Sequence, residues 1–579
     1  MITNLKGMPY GLADKDIEWV EDTINKMSIE EKIGQLFIVL GKSSNEEYVR
    51  NLVEKYHIGG ARYTERDSLK IMQQNRAYQK YSKTPMFIAA NCEDGGSSLC
   101  QNGTQVATQA QCGATATPEA AYQMGNIGGI EATALGCNWT FSPIVDILFN
   151  WRNTIVNTRS FGNEADQVLE LAKANIKGLK NSNILASAKH FPGDGVEERD
   201  QHLVMGINDL TCEEWDASFG KVYQSLIEDG LETIMIGHIA LPAYSRKLRP
   251  GILDEDIMPA TLAPEITTDL LRKQLGFQGL VVTDASHMGG LLSAKPRNEQ
   301  LPHAIAAGCD MFLFMHDEEE DFQYMLDGYE KGIISEERLQ EALEHILGMK
   351  AKLGLHKMKA ESLEEATTKL TQIGSTEHLA AAKKIADESI TLVKDTQSLL
   401  PIDVREKKRA MLYFLESAPV SYADGTDKAK KIVVEELEKA GFQVDVNDSF
   451  YDLEQRERSP FNKFKIMAMP TVESFKKQYD VVFVFVHMKG YAQENNVRVK
   501  YSAPHSNELP WWINEVPTVC VSLSYTNHLY DLPMMKTFIN AYGPTRACIQ
   551  ATVEKITGQS EFKGKYNETV WCNSWDTRY

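Results

Sequence analysis

Short apolar runs that alternate with amphipathic helical segments constrain this chain more than any other feature. Eight runs rich in Val, Ile and Phe follow one another: "QLFIVL", "IGGARY", "PMFIAA", "NWTFSPIVDI", "ILASAKHF", "TIMIGHIAL", "GLVVTDA" and "CDMFLF". Each is too short for a helix and too uniformly apolar for a strand with one wet face, which is the signature of parallel strands buried on both sides. Between them lie segments with apolar residues at helical spacing, such as "NEEYVRNLVEKYH" and "EADQVLELAKANIKGLK". Eight strand–helix units predict an α/β chain with a (β/α)8 barrel across roughly residues 28–352, within the domain 1–355. Ser28, with Glu31 three residues on, forms a capping box at the leading helix. After a polar stretch at 356–378, read as a linker, a second alternation includes "AMLYFL", "DVVFVFVHM" and "VPTVCVSLS". It predicts a smaller α/β sandwich domain over 379–579 with a mostly parallel sheet.

The formal net charge of -19 disfavours phosphate backbones and anionic lipid, so neither nucleic acid nor a membrane is an expected partner. No stretch approaches the length of an apolar membrane span, and the first residues lack a signal-peptide pattern. Nine scattered cysteines without a Cys-x-x-Cys pair argue for reduced thiols and against a zinc site. The expectation is a cytoplasmic protein that uses no metal or cofactor and acts on a small molecule.

In such a barrel the reacting groups gather where strands end and loops begin. Lys189 and His190 follow "ILASA", His238 follows "TIMIG", Asp284 follows "GLVVT", and Arg159 lies beyond "FSPIVDI". Taken singly, each has an ordinary reading. His238 fits a satisfied structural histidine, Asp284 fits a helix cap, and "VEERD" fits a solvated loop. Together they bring charged groups from several strands to one rim.

The motifs "KHFPGDG", "RSFG", "GLVVTDASHM" and "AIAAGCDMFLF" closely resemble glycoside hydrolase family 3. The resemblance continues through "PATLAPEITTDLLRKQLGFQG" to "AKKIADESITLVKD" and "LLPI". It implies a retaining mechanism with Asp284 as nucleophile and Met288 against the sugar. The stretch "RDQH" matches the Asp-x-His pattern of the family's β-N-acetylglucosaminidase branch. That match implies His202 as acid/base and Asp200 as the group that orients it, with Arg159, Lys189, His190 and His238 holding the sugar. Two positions depart from the family pattern. Asp194 stands where a histidine is usual, and "NCEDGGSS" leaves Cys92 where an aspartate commonly holds sugar hydroxyls, with Glu93 beside it to take over. The reading is therefore an exo-acting β-N-acetylhexosaminidase for small oligosaccharides or glycosides. The alternatives are a β-glucosidase or broad β-glycosidase, a phosphorylase that uses phosphate in place of water, and a silent sugar-binding protein. Retention of a nucleophile argues against the last.

Overall fold

The computed structural model describes residues 2–115, 117–359, 361–416, 426–448, 469–488, 498–499 and 508–579. Each of the eight apolar runs contributes a strand: β1 (Phe37–Gly41), β2 (Gly60–Tyr63), β3 (Phe87–Ala90), β4 (Trp139–Thr140), β5 (Leu185–Phe191), β6 (Thr233–Ile236), β7 (Leu280–Ala285) and β8 (Met311–Leu313). They pair in sequence order, all parallel, and the ring closes where Phe37 and Ile38 of β1 meet Phe312 and Leu313 of β8. The expected (β/α)8 barrel is the fold. Its leading helix, Ile29–Gln35, has the capping box read from the sequence. The Glu31 amide donates to Ser28 Oγ (3.3 Å) and the Ser28 amide to Glu31 Oε2 (2.9 Å).

The barrel interior is packed with side chains, as the fold requires. Trp139 crosses the lumen, its indole N–H donating to Ser187 Oγ (2.8 Å) and Thr233 Oγ1 (3.1 Å), and it meets Phe87 edge-on at 5.0 Å. Beneath Phe87 sits a fully buried cation. Lys350, from the helix Glu336–Lys352, donates to Gln35 Oε1 at 2.7 Å and lies 5.2 Å from the Phe87 ring centroid. Burial without a counter-charge pulls its ammonium down to about 7.

The chain forms two compact units, residues 1–106 with 118–379 and residues 107–117 with 380–579. Within the first unit the stretch 356–378 carries the helix Leu363–Lys369, capped by Ser362 and Glu365. It ends with His378 Nδ1 against the buried Glu131 Oε1 at 2.7 Å.

The second unit is built on a six-stranded sheet of β9 (Thr391–Asp395), β10 (Arg409–Glu416), β11 (Gln443–Val446), β12 (Val481–His487), β13 (Thr518–Ser522) and β14 (Thr537–Asn540). Their order is β9-β14-β13-β12-β10-β11, and only β9 runs antiparallel to its neighbour. Alternate residues of β10, β12 and β13 feed two apolar layers. Phe414, Phe485 and Val521 face one layer; Leu415, Val486 and Cys520 face the other. Both faces of the sheet are therefore covered, which explains the uninterrupted apolar run "VVFVFV". The helix Gln109–Thr115, drawn from between β3 and β4, belongs to this unit. Gln111 Nε2 meets Cys548 Sγ at 3.5 Å, and Ala114 O accepts from the Lys565 amide at 2.9 Å.

No helix among the described residues is long and apolar enough to cross a membrane. All nine cysteines are unpaired, and eight of them are buried.

Candidate active site

Carboxyl ends of the barrel strands bring most of the expected residues together. Just beyond β3, Glu93 accepts two hydrogen bonds from the Arg159 guanidinium, from Nε (2.9 Å) and Nη2 (3.0 Å). Its Oε1 also takes Lys189 Nζ at 2.6 Å. Burial opposes ionisation of Glu93, but the Arg159 and Lys189 charges prevail and hold its carboxyl well below the usual range. Two cations on one anion leave a net positive floor with donors to spare, suited to sugar hydroxyls. Cys92 does not share in this. Its thiol is fully buried, turned to Gly128 O at 3.7 Å, and pushed up to about 12 by burial.

His190 is fixed from behind. Its Nδ1 lies 2.7 Å from Asp146 Oδ2, so the N–H on Nδ1 donates to the carboxylate and Nε2 is aimed forward, 3.7 Å from Asp284 Oδ2. Asp146 is itself buried, and its Oδ1 accepts the amides of His190 (3.1 Å) and Asp194 (2.8 Å). Asp284, on the last turn of β7, keeps one oxygen on the Ala285 amide (2.7 Å). Burial raises its pKa, but the surrounding His190, His238, His202 and Lys189 lower it further, so the carboxylate is ready in its anionic form. Met288, four residues on, is buried at the start of the helix Gly289–Leu292.

The loop after β5 carries Asp200 and His202 as a pair. Asp200 Oδ1 receives both the His202 amide (2.8 Å) and His202 Nδ1 (2.7 Å). The Asp200 carboxyl is fully buried, whereas the imidazole is about one-fifth exposed. The loop is pinned at His202 itself and at the residue between the pair: the Gly289 amide donates to His202 O (2.7 Å) and the Gly290 amide to Gln201 O (3.1 Å). Gln201 is buried, and its Oε1 accepts the His238 amide at 2.7 Å.

His238 stands apart from the sugar-holding groups. It is fully buried, with Nδ1 on Thr261 Oγ1 (2.8 Å) and Nε2 donating to Ala285 O (3.1 Å), and burial lowers its pKa. Both ring nitrogens are engaged by protein, and the ring touches the site through the backbone next to Asp284. Asp194 is also buried, with Oδ1 accepting from Asn153 Nδ2 (2.9 Å) and the Gly195 amide (2.6 Å). Burial and the nearby Asp146 carboxylate push its pKa up to about 8. Asp146, Gln201, Thr261 and Asn153 were not singled out by sequence reasoning. Asp146 sits in the run "FSPIVDI", where a lone carboxylate among apolar residues was the available signal. Among the described residues no group of three or more His, Cys, Asp or Glu side chains could hold a metal ion.

The model of the glycosyl hydrolase family 3 N-terminal domain matches residues 28–349. This chain belongs to glycosyl hydrolase family 3. As a family 3 member it is a glycoside hydrolase, and the barrel rim just described is where its matched segment places charged groups from β3, β5 and β7. A "Beta-N-acetylglucosaminidase/beta-glucosidase" of Cellulomonas fimi is 38% identical over 575 residues, covering 99% of each chain. Among solved structures, a "Beta-glucoside phosphorylase BglX" is 35% identical over 99% of both chains, with a TM-score of 0.89. A family 3 β-N-acetylglucosaminidase from Paenibacillus sp. str. FPU-7 shares the fold at 23% identity and TM-score 0.77, covering 93% of this chain and 98% of that one.

Proposed function

We propose that this family 3 enzyme is a retaining exo-β-N-acetylglucosaminidase that removes terminal β-linked GlcNAc from small glycans or glycosides. The observation that carries the reading is the Asp200–His202 pair, a buried carboxylate 2.7 Å from the Nδ1 of a part-exposed imidazole. With its proton donated to Asp200, Nδ1 leaves Nε2 to face the substrate. The protonated ring gives its Nε2 proton to the departing oxygen while Asp284 attacks the anomeric carbon, forming a glycosyl-enzyme ester. The neutral ring then takes a proton from water as the water oxygen attacks and the ester electrons return to Asp284. In this scheme Glu93, Arg159, Lys189 and His190 hold sugar hydroxyls and Met288 packs against the ring. His238 is a positioning residue that fixes the Asp284 strand end. The Cellulomonas fimi relative, whose name pairs both activities, supports this reading.

A second reading, glucoside turnover with phosphate as acceptor, is favoured by the likeness to the BglX phosphorylase over the full chain. An uncharged imidazole does not repel an incoming anion as a deprotonated glutamate would. We place the enzyme in the cytoplasm, where unpaired cysteines persist. Aryl β-glycosides differing only at C2, N-acetyl against hydroxyl, test the proposal. The N-acetyl substrate should show the higher kcat/KM, with β-configured product at first formation. A clear preference for the 2-hydroxyl substrate would make this a β-glucosidase.

A further inference from the structure

Asn153, in the stretch between β4 and the turn that carries Arg159, is buried, and its amide spends both donors and both lone pairs on protein. The bonds run in two directions. Toward the chain that follows, Oδ1 accepts the amides of Ile155 (3.0 Å) and Val156 (2.7 Å). Toward the loop after β5, Nδ2 donates to Asp194 Oδ1 (2.9 Å) and to Glu197 O (2.8 Å).

Each direction ends in the active site. Ile155, held by its amide, accepts Arg159 Nη1 on its carbonyl (3.2 Å), and the same guanidinium grips Glu93 through Nε and Nη2. The 3-10 helix Asn157–Arg159 follows directly on Val156. On the other side, the Asp194 amide donates to Asp146 Oδ1 (2.8 Å), the carboxylate that holds His190 Nδ1 at 2.7 Å, and Glu197 precedes Asp200 by three residues. The two backbones run in close contact beside Asn153. The Asn150 amide donates to Gly195 O (2.8 Å), and Gly195, at φ +101°, leaves no room for a side chain, since a Cβ there would meet Ile147 O at 2.1 Å.

We propose that Asn153 is a positioning residue for the proton transfer: its amide is a rigid spacer that sets the distance between the guanidinium that grips Glu93 in the sugar-holding floor and the loop that presents His202. The inference rests on the reading of His202 as the acid. Asn153 touches neither substrate nor the reacting atoms, and it acts by fixing where the leaving oxygen meets the Nε2 proton. A misplacement of about 1 Å at such a donor costs about 10²-fold. Asparagine suits the task because it accepts in one direction and donates in the other, whereas aspartate has the same shape and no donor.

Two variants cut this link from opposite ends. Asn153→Asp keeps the acceptor under Ile155 and Val156 and loses both donors; Asp194→Ala leaves Asn153 on its turn and removes one acceptor. The readout is kcat/KM of the full chain over a series of aryl and alkyl β-glycosides that differ in leaving group, with folding checked by circular dichroism. Each variant should lose about 10–10²-fold for poor leaving groups and no more than about threefold for dinitrophenyl glycosides, which need little protonation. In Asn153→Asp the loss should also depend on pH. The introduced carboxyl faces Asp194, itself held up to about 8 by burial and by Asp146, and Asp200 and Glu197 are the other ionisable groups about that gap. Burial and like charge keep the introduced group protonated at low pH, so one O–H then restores a donor to the loop. The ratio of wild type to variant is therefore smallest below about pH 7 and grows above about pH 8. A flat loss across leaving groups in the folded variants, or in Asn153→Asp a loss that is the same at every pH, overturns the spacer role. If His202→Ala gives a steep series at the same time, the acid assignment stands; if that series is flat too, the acid assignment falls and this inference with it. Should Asn153→Asp fail to fold, Asp194→Ala decides alone, a steep series for the spacer and a flat one against it.

Discussion

Replacing Lys350 by methionine keeps the length and most of the volume of the side chain while removing a charge from the foot of the barrel. The folded protein holds this ammonium at about 7, whereas an unfolded lysine titrates near 10.4. Below pH 7 both states are protonated and the folded state bears the full cost of burying a cation. At about 1.4 kcal/mol per pH unit of difference, that cost is about 4–5 kcal/mol. Between the two values the unfolded chain binds more protons, so stability rises with pH, and above about 10 the penalty has gone. Methionine abolishes the titration but leaves Gln35 Oε1 without the donor it has at 2.7 Å, a loss of about 1–3 kcal/mol for a buried acceptor. Lys350→Met should therefore be more stable than wild type by about 2–3 kcal/mol at pH 6 and less stable by about 1–2 kcal/mol at pH 10. Urea unfolding followed by tryptophan fluorescence, repeated at intervals from pH 6 to 10, reads the crossing directly. A variant less stable at pH 6, or a difference that does not change with pH, refutes the reasoning.

Three perturbations address the chemistry. Asp284→Asn should lower turnover by at least about 10⁴-fold without shifting the thermal midpoint by more than a few degrees; residual activity above that, or a fluorosugar label on another residue, would relocate the nucleophile. His202→Ala should cost about 10²–10⁴-fold for substrates with poor leaving groups and far less for dinitrophenyl glycosides, so a leaving-group series with uniform loss removes His202 from the acid role. Gln201→Leu strips the His238 amide of its acceptor at 2.7 Å and costs about 1–3 kcal/mol. Because the same residue braces the acid/base loop, kcat should fall more than KM changes, and equal changes in both would mean the loop is held by other contacts.

Much of the barrel could be read from the chain because parallel strands buried on both faces leave long apolar runs, and each such run became a strand. Short strands with little apolar character were harder. β11, "QVDV", lies at a sheet edge with most of its residues exposed, and β14, "TFIN", offers four residues without alternation. In the active site, Lys189, His190 and Asp284 were visible because each ends an apolar run. Glu93 was visible as a stand-in for Cys92, but its pairing was not, since it reaches Arg159 and Lys189 across 66 and 96 residues of chain. Asp146 had the same difficulty. A carboxylate that serves another side chain has no pattern of its own, and only folding shows that His190 depends on it. His238 lay at the expected strand end, but Thr261, which occupies one of its nitrogens, comes from the short 3-10 helix Ala260–Leu262, 23 residues on.

The helix Gln109–Thr115 has a consequence for how the molecule is made. Two of the residues it packs against come much later in the chain: Cys548 is 437 residues beyond Gln111, and Lys565 is further still. At ~5–20 residues per second the ribosome delivers them tens of seconds later. Throughout that interval a segment carrying Cys112 and two buried glutamines waits for Cys548 and Lys565, and the C-terminal unit cannot close before they are made. A nascent chain stalled inside the barrel would thus expose this helix, which makes it a natural point of contact for a chaperone and a natural place for a premature stop to be noticed.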